Sequence, residues 1–446
     1  MTETCPVQDL YTPAYFKDPY PALTRLRDAG PVHRVERPDG LTVWLITRYA
    51  EARAALGDPR LSMDGDVVQK ALGAFAYGYL DPENEAPHTL LSSDPPDHTR
   101  LRRLVNRTFT ARRVQALRPR VQELMDGLLD ALGPDATHAD LIEAVAAPLP
   151  IAVICELLGV PPEDYDSFKL WTTAMFVLPA DVGDGMSPTD AIRDLRRYFS
   201  ELIAAKRAER PEATQGATGT EESGDLLSAL IAVRDTDEGR LSEHELVSMA
   251  VQLLIAGHET TVNGIGNAVL NLLRHPDQLA ALRADPALLP RAVDELLRFE
   301  GPLETAVLRV ATEPIPLDDQ VIPAGGLVKV VLAAANRDPE RFAAPDTLDI
   351  TRQKEGHLQF GHGIHNCLGA FLARMETEIA ISSLLRRYPG LSLAVPDDGI
   401  RWREIAILRS LKELPVTLTG PVSALTIIEA PERTSPAGTG CSPDGA

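Results

Sequence analysis

The stretch FGHGIHNCLGA, residues 360–370, decides how the rest of this chain is interpreted. Its single cysteine, Cys367, stands between glycines, just before a segment whose pattern predicts a helix to about Tyr388. Glycines allow backbone conformations and close approaches that side chains would block. Because a helix N-terminus favours negative charge, this position favours the thiolate form of Cys367. The segment is therefore a candidate site for a metal-binding thiolate.

Taken alone, Cys367 allows three interpretations. An isolated cysteine is most often a small buried residue that packs like an apolar one. A zinc site formed with His362 and His365 would lack the paired spacing that is typical of such sites. A thiolate can also ligate heme iron and push electron density toward cleavage of an O–O bond. The choice among the three depends on the rest of the chain.

The longest predicted helix begins at a capping box. Residues 242–245, SEHE, place a serine and a glutamate three positions apart, so that each can cap the other at a helix start. A periodic apolar pattern then runs to about Arg274, just before Pro276. At a rise of 1.5 Å per residue, the helix would be about 50 Å long and would cross the whole molecule.

The segment AGHETT, residues 256–261, lies midway along this helix. Gly257 removes side-chain bulk, and Thr260 can bend a helix by bonding back to a carbonyl oxygen. A buried pair formed by Glu259 and Thr260 could relay protons, because both groups exchange them. The alternative is a packing notch whose hydroxyl is satisfied by the backbone.

A third segment, ELLR, carries two opposite charges on one helix. Glu295 and Arg298 are three residues apart and therefore share a helix face. By itself the pair would be an ordinary surface ion pair, worth about 0–1 kcal/mol.

A fourth segment, DPPDHTRLR at residues 94–102, begins another predicted helix. His98 and Arg102 are four residues apart, hence on one face, where two donor groups could clamp carboxylates. The alternative is the basic face of an amphipathic helix.

Other patterns predict further elements and two loops. A long mixed loop at residues 61–93 and a mobile polar loop at 207–224 separate the predicted helices. The predicted helices are Tyr20–Ala29, 98–160 and 290–299, and the predicted strands are 41–48, 307–310 and 327–332.

The four segments together resemble the cytochrome P450 family, in family order and at similar separations, over about residues 15–420. The stretch 360–370 matches the family's heme signature, Phe-Gly-x-Gly-x-His-x-Cys-x-Gly, at every defined position. The resemblance implies a mainly α fold with a small β region, in which a triangular helical domain surrounds the long central helix. It implies heme b as cofactor and one catalytic domain at 15–420, after an extension at 1–14 and before a disordered tail at 421–446.

The resemblance also implies a role for each matching residue. Cys367 would be the axial ligand of the heme iron, Glu259 and Thr260 would supply protons for oxygen activation, and Glu295 and Arg298 would be structural. The residues that the resemblance implies to contact heme are His98, Arg102, Gly257, Arg309, Phe360, His365, Cys367 and Gly369. Four of these, His98, Arg102, Arg309 and His365, would contact its propionates.

Composition constrains the partners. The chain has 446 residues and a formal charge of −20, which disfavours nucleic acid and anionic membranes. Its four cysteines form no C-x-x-C pair, and neither a signal peptide nor an apolar membrane span is recognisable. We therefore expect a cytoplasmic protein, acting as a monomer on a small molecule.

The expected activity is a heme-thiolate monooxygenase that hydroxylates or epoxidises a bulky apolar secondary metabolite. The run of similar motifs resembles actinomycete enzymes that tailor macrolides and other polyketides. Two electrons would come from NAD(P)H through a ferredoxin reductase and a ferredoxin, which would dock on Arg102, Arg103, Arg107, Arg112 and Arg113. Candidate substrate contacts are Glu83, Glu85, Leu253, Ala256, Leu303 and Ile405.

Two alternatives from other classes stay open at this point. A heme-thiolate protein that only binds or senses a ligand would keep Cys367 but would have no need of Glu259 and Thr260. A protein without heme, in which the motifs are accidental, would lack a Soret band.

Overall fold

The computed structural model describes residues 9–37, 40–73, 89–175, 185–209, 225–236 and 241–419. Within these ranges the chain forms sixteen α-helices and ten β-strands. The helices are α1 (Pro13–Lys17), α2 (Tyr20–Ala29), α3 (Tyr49–Gly57), α4 (Gly65–Leu72), α5 (Asp97–Thr108), α6 (Ala111–Ala116), α7 (Arg118–Ala131), α8 (Pro148–Leu158), α9 (Tyr165–Ala174), α10 (Pro188–Ala208), α11 (Leu226–Thr236), α12 (Glu243–Arg274), α13 (Pro276–Ala284), α14 (Leu289–Glu300), α15 (Leu332–Ala335) and α16 (Ala370–Arg387). The strands are β1 (Val32–Glu36), β2 (Thr42–Ile46), β3 (Leu61–Ser62), β4 (His138–Asp140), β5 (Arg309–Ala311), β6 (Ile315–Leu317), β7 (Gln320–Ile322), β8 (Leu327–Val330), β9 (Ser392–Leu393) and β10 (Pro415–Thr417).

The central helix α12 has 32 residues, which confirms the long helix predicted from the sequence. Its capping box is formed: the Glu245 amide donates to the Ser242 hydroxyl at 3.1 Å, and the Ser242 amide donates to the Glu245 carboxylate at 2.7 Å. These bonds satisfy two amides that would otherwise lack partners at the helix start. The largest apolar core surrounds α12, which packs against α8, α10, α14 and α16.

The strands form a small β region beside the helices. One sheet has five strands in the order β1-β2-β8-β5-β3, in which only β2 and β8 are parallel. A second sheet has the order β4-β10-β9, and β6 pairs with β7 as a hairpin. This mainly α architecture with a minor β part confirms the fold class expected from the sequence.

Several predicted elements are confirmed with small shifts at their ends. Helix α2 has the predicted bounds, α14 extends the predicted helix by one residue at each end, and β2 lies inside the predicted strand at 41–48. The strand predicted at 307–310 begins instead at Arg309, and that at 327–332 ends at Val330 because the chain turns into α15.

Two predictions are wrong in part. The stretch 98–160 is not helical throughout, since β4 interrupts it and pairs with β10, which lies more than 270 residues later in the chain. The stretch 61–93 contains β3 and α4, while its residues 74–88, including Glu83 and Glu85, lie outside the described residues.

The polar stretch at 207–224 lies mostly outside the described ranges, as does the tail at 421–446. Among the helices that are described, none has both the length and the apolarity that crossing a membrane requires.

Candidate active site

The loop that carries Cys367 is shaped by its glycines. Gly361 and Gly363 have φ of 71° and 77°, a conformation that glycine adopts without strain. A side chain on Gly363 would also lie 3.1 Å from the backbone of Leu56 and Gly57, so that α3 and the loop can approach only at glycine. The Cys367 amide donates to the carbonyl of Phe360 at 2.8 Å and closes the loop just before α16.

Cys367 is accessible, and its electrostatic environment is mixed. Crowding by protein atoms raises the pKa of the thiol, while the Gly369 amide and the charges of Arg102 and Arg374 lower it. The net direction is upward for the protein alone, and the thiolate expected from the sequence stays a prediction that depends on what Cys367 binds. A bound metal ion would ionise the thiol, because a coordinating thiol loses its proton.

Three donor side chains meet in front of this loop. The rings of His98 and His365 have centroids 4.4 Å apart. Burial, followed by the charges of His98 and Arg309, lowers the pKa of His365 to about 4. Burial also lowers the pKa of Arg309 to about 10. A bound anion would stabilise the charged forms of these side chains, which burial and their mutual repulsion disfavour.

Two members of this cluster have buried atoms with no hydrogen-bond partner among the described residues. Both ring nitrogens of His98 and the Nε of Arg309 lack one, although the two residues are 2% and 4% exposed. A buried donor without an acceptor costs about 1–3 kcal/mol, so such groups are ordinarily paired. Acidic oxygens such as the propionates of heme fit these donors, and the residues present therefore fit the cofactor.

Arg102 reaches the cysteine loop directly. Its Nη1 donates to the carbonyl of Asn366 at 2.9 Å, and its charge acts on Cys367. Phe360 lies under the guanidinium of Arg374, which is 4.2 Å from the ring centroid. Sequence reasoning missed Arg374, which lies on α16 and is ion-paired with Asp294 at 2.7 Å.

One face of α12 borders an open space. Ala256 is exposed although Leu254 and His258, on the same helix, are buried. Leu253 is half-buried, and the Thr260 hydroxyl donates to the Ala256 carbonyl at 2.7 Å. An exposed alanine midway along a core helix marks this face as the wall of a cavity.

Gly257 lies on a different face of α12. A side-chain carbon there would lie 3.2 Å from Cδ1 of Ile154, so the missing side chain lets α12 and α8 pack closely. This geometry fits the packing notch that the sequence left open as an alternative, and the heme contact implied for Gly257 stays a prediction.

Glu259 is buried, with 4% of its surface exposed. Burial raises the pKa of its carboxyl, while Arg403 and Asn263 lower it. Arg403 Nη1 lies 3.6 Å from Glu259 Oε1, and Asn263 donates to the Glu259 carbonyl at 2.8 Å. Sequence reasoning missed Arg403, because nothing in the pattern near residue 403 points to a residue 144 positions earlier.

Glu295 and Arg298 form a buried pair, not the surface pair that their spacing alone suggests. Their side chains are 2% and 3% exposed, and two bonds of 2.7 and 2.9 Å join them. Arg352, which sequence reasoning missed, is also paired with Glu295 at 3.1 Å. Arg298 donates to the carbonyl of Asn336 at 2.8 Å and ties α14 to the loop after α15.

Two candidate substrate residues come together from distant segments. Leu303 and Ile405 are half-buried, and a backbone bridge between Leu303 and Leu408 joins their segments. Beside the cysteine loop, an open groove of about 490 Å³ is lined by α5, including His98, and by Ile364, which is 48% exposed. The groove includes Arg102, Arg103 and Arg107 of the basic cluster.

Comparisons with known proteins agree with this geometry. Residues 163–398 match the model of the family described as Cytochrome P450. The chain is 51% identical to cytochrome P450 monooxygenase PikC of Streptomyces venezuelae, over 90% of this chain and 91% of that one. It is 42% identical to 6-deoxyerythronolide B hydroxylase of Saccharopolyspora erythraea, over 93% and 99%.

A solved structure shares the fold. The tirandamycin C-bound P450 monooxygenase TamI superposes with a TM-score of 0.81 at 45% identity, over 92% of this chain and 99% of that one. This similarity and the sequence relationships cover nearly the whole chain, at identities far above the range in which only the fold is shared. The chain therefore belongs to the cytochrome P450 family and is a heme b-dependent monooxygenase that takes electrons from a redox partner.

Proposed function

We propose that this enzyme hydroxylates or epoxidises a bulky apolar polyketide, with a macrolide as the first candidate. The observation that carries the proposal is the open face of α12, where Ala256 is exposed and Leu253 half-buried. Leu303 and Ile405 add apolar surface from the β region, and mostly apolar pockets suit apolar ligands. Relatives named for 6-deoxyerythronolide B and tirandamycin C support the substrate class.

The residues of the site would hold heme in two ways. Cys367 would bind the iron, and His98, Arg102, Arg309 and His365 would bind the propionates. When bound, heme supplies the oxygen activation that inserts one oxygen atom into a C–H bond or an alkene. Phe360 would pack against the cofactor beside the cysteine, and Gly369 would leave room for the sulfur.

Protons would come through α12. Glu259 is buried beside Thr260, whose hydroxyl is held by the Ala256 carbonyl at the cavity wall. Burial raises the pKa of the Glu259 carboxyl, which favours the protonated form that a proton donor needs. The role proposed for this pair distinguishes a monooxygenase from a ligand-binding protein without turnover.

Electrons would come from a ferredoxin and an NAD(P)H-driven reductase. Arg103, Arg107 and Arg112 are exposed on α5 and α6, beside the cysteine loop, on a chain of net charge −20. A basic patch on an otherwise acidic protein favours an acidic partner. We also propose one catalytic domain at 15–420 that acts as a monomer in the cytoplasm, where its two described free thiols, Cys155 and Cys367, stay reduced.

The first experiment is the reduced, carbon-monoxide difference spectrum of wild type, Cys367→Ala and Cys155→Ala. Cys155 is the matched control, since it is a free cysteine that is buried on α8 and does not belong to the loop. We expect the red-shifted Soret band of a thiolate-bound heme in wild type and Cys155→Ala, and its loss in Cys367→Ala. Heme binding without that band in wild type would refute thiolate ligation.

The second experiment addresses the substrate. Wild type is titrated with 6-deoxyerythronolide B and with tirandamycin C, and the spin-state shift of the Soret band is recorded. A saturable shift and an oxidised product would support the substrate class. Ala256→Phe, which fills the cavity wall, should weaken the shift at least tenfold. An unchanged affinity in that variant would mean that the open face of α12 is not the substrate site.

A further inference from the structure

Glu259 has one charged partner in the described part of the chain, and a distant segment supplies it. Arg403 lies 3.6 Å away, and its side chain is 24% exposed against 5% for Glu259. The other side chain that acts on the carboxylate is Asn263, one turn along α12 and 3.5 Å from Oε2. His258, the residue before Glu259, forms a hydrogen bond through its Nδ1 with Thr172 on α9 and does not contact the carboxylate through this ring nitrogen. The charge balance of Glu259 therefore depends on Arg403.

Arg403 belongs to a hairpin, residues 402–411, that is fastened to α12. Trp402 and Leu411 form a backbone bridge, and the Arg403 amide donates to the Ser410 carbonyl at 2.8 Å. On the opposite strand of the hairpin, the carbonyl of Arg409 accepts from Asn267 of α12 at 2.8 Å. The guanidinium of Arg403 is thus presented to Glu259 by a backbone that is fixed to the same helix.

The same hairpin carries a candidate substrate contact. Ile405 lies at its half-buried tip, and the neighbouring Ile407 carbonyl accepts from the Glu304 amide at 3.0 Å. Leu303, the other candidate contact in the β region, pairs with Leu408. A ligand that presses on Ile405 and Leu303 would therefore act on the framework that sets the distance between Arg403 and Glu259.

We propose that Arg403 is a positioning residue that orients the Glu259 carboxylate and balances its charge, and so couples substrate contact at the 402–411 hairpin to proton supply at Thr260. The inference rests on the proposed function, which gives the proton supply to Glu259. In each transfer, the O–H bond of the Glu259 carboxyl breaks, and the proton passes to the Thr260 side. Arg403 balances the carboxylate that is left, and a proton from bulk solvent, relayed by water that is itself unchanged, then re-forms the O–H bond.

The test uses the heme-loaded full chain with substitutions at two arginines of the same segment. Arg403→Gln removes the cation and keeps a polar side chain, and Arg403→Lys restores the charge. Arg401→Gln is the matched control, because Arg401 is 64% exposed and pairs with Glu413 at 2.6 Å instead of Glu259. The carbon-monoxide spectrum of each variant checks that the heme site is intact.

The first readout is the protonation of Glu259 itself. The infrared band of its protonated carboxyl is identified by its loss in Glu259→Gln, and its titration midpoint is measured in each variant. A cation within about 4–6 Å lowers a carboxyl pKa by about 1–3 units. We expect the midpoint to rise by at least about one pH unit in Arg403→Gln, to be mostly restored in Arg403→Lys, and to be unchanged in Arg401→Gln.

The second readout is the fraction of electrons recovered as product and not as hydrogen peroxide, with 6-deoxyerythronolide B as probe. If that compound gives no spin-state shift, tirandamycin C replaces it. We expect Arg403→Gln to lower this fraction about tenfold, because without the cation the carboxylate left after each transfer is less stable by about one pKa unit, and proton release becomes less favourable by that factor. The double variant with Glu259→Gln should be no worse than Glu259→Gln alone.

Two results would overturn the inference. If the midpoint in Arg403→Gln equals that in Arg401→Gln, Arg403 does not set the charge of Glu259. If the double variant loses the product of the two single effects, Arg403 acts through another group. Should Glu259→Gln leave the product fraction unchanged, the proton role in the proposed function fails, and the infrared midpoint still shows separately whether Arg403 and Glu259 interact.

Discussion

Replacing Glu295 with glutamine should weaken the heme-binding core by several kcal/mol. Glu295 is 2% exposed and accepts bonds from Arg298 at 2.7 and 2.9 Å, from Arg352 at 3.1 Å, and from the Asp349 amide at 3.1 Å. Glutamine keeps the size of the side chain but leaves two guanidiniums without a counter-charge. Breaking one partner of a buried ion pair costs about 3–5 kcal/mol.

Thermal unfolding of the heme-loaded protein, followed by circular dichroism and by the Soret band, measures this cost. For a domain of this size, about 2 °C of midpoint corresponds to 1 kcal/mol, so we expect a fall of about 6–10 °C. Because a bound cofactor raises apparent stability, wild type and variant are compared at equal heme loading and scan rate.

The control is Asp194→Asn, which breaks the Asp194–Arg197 pair. That pair has the same order and spacing on a helix, but its arginine is 64% exposed. A pair of this kind is worth about 0–1 kcal/mol, so its midpoint should move by at most about 2 °C. Equal small shifts in both variants would refute the argument that burial makes Glu295 indispensable.

Three further predictions concern single side chains. Burial raises the pKa of Glu376 from 4.5 to about 8, so between these values the unfolded chain has lost a proton that the folded chain keeps, and stability falls as pH rises. Glu376→Gln should therefore lose less thermal stability than wild type between pH 5 and pH 8; parallel losses would contradict this. Arg309→Gln should speed heme transfer to apomyoglobin about tenfold to hundredfold, since a bond to a charged group contributes about 1.5–3 kcal/mol, and an unchanged rate would remove Arg309 from the propionate site. Gly257→Val should cost about 1–3 kcal/mol of unfolding free energy by clashing with Ile154, and Ile154→Ala in the same chain should recover part of it; additive costs would argue against the contact.

The parts of the fold that the sequence predicts are those with local signals. Ser242 and Glu245 mark the start of α12 because a capping box needs only four consecutive residues. The cysteine loop is also predictable from the sequence, since its glycines and Cys367 lie within ten positions. By contrast, the sequence did not predict β4, whose residues lie within a stretch with a helical pattern. The hydrogen bonds that stabilise β4 as a strand come from β10, near the other end of the chain.

The candidate site divides in the same way. The sequence identified Glu259 and the pair of Glu295 with Arg298. It missed two cations that come from 144 and 57 positions away, Arg403 beside Glu259 and Arg352 as a second partner of Glu295. Each of these two arginines reaches its glutamate only through the tertiary fold, and the periodicity of a sequence does not predict such long-range contacts. The spacing of two residues on a helix does not predict whether they are buried, so from the sequence alone Glu295 and Arg298 were expected to form a surface pair.

Helix α12 has consequences for anyone who would retarget this enzyme. On one side Gly257 is pressed against Ile154, and on the other Ala256 faces open space. A mutagenesis library directed at Ala256 and Leu253 would change the shape offered to a ligand while drawing little on the folding stability of the protein. Substitutions at Gly257, one position away, would each cost folding stability through the contact with Ile154, so two adjacent codons differ in how much stability a library would consume.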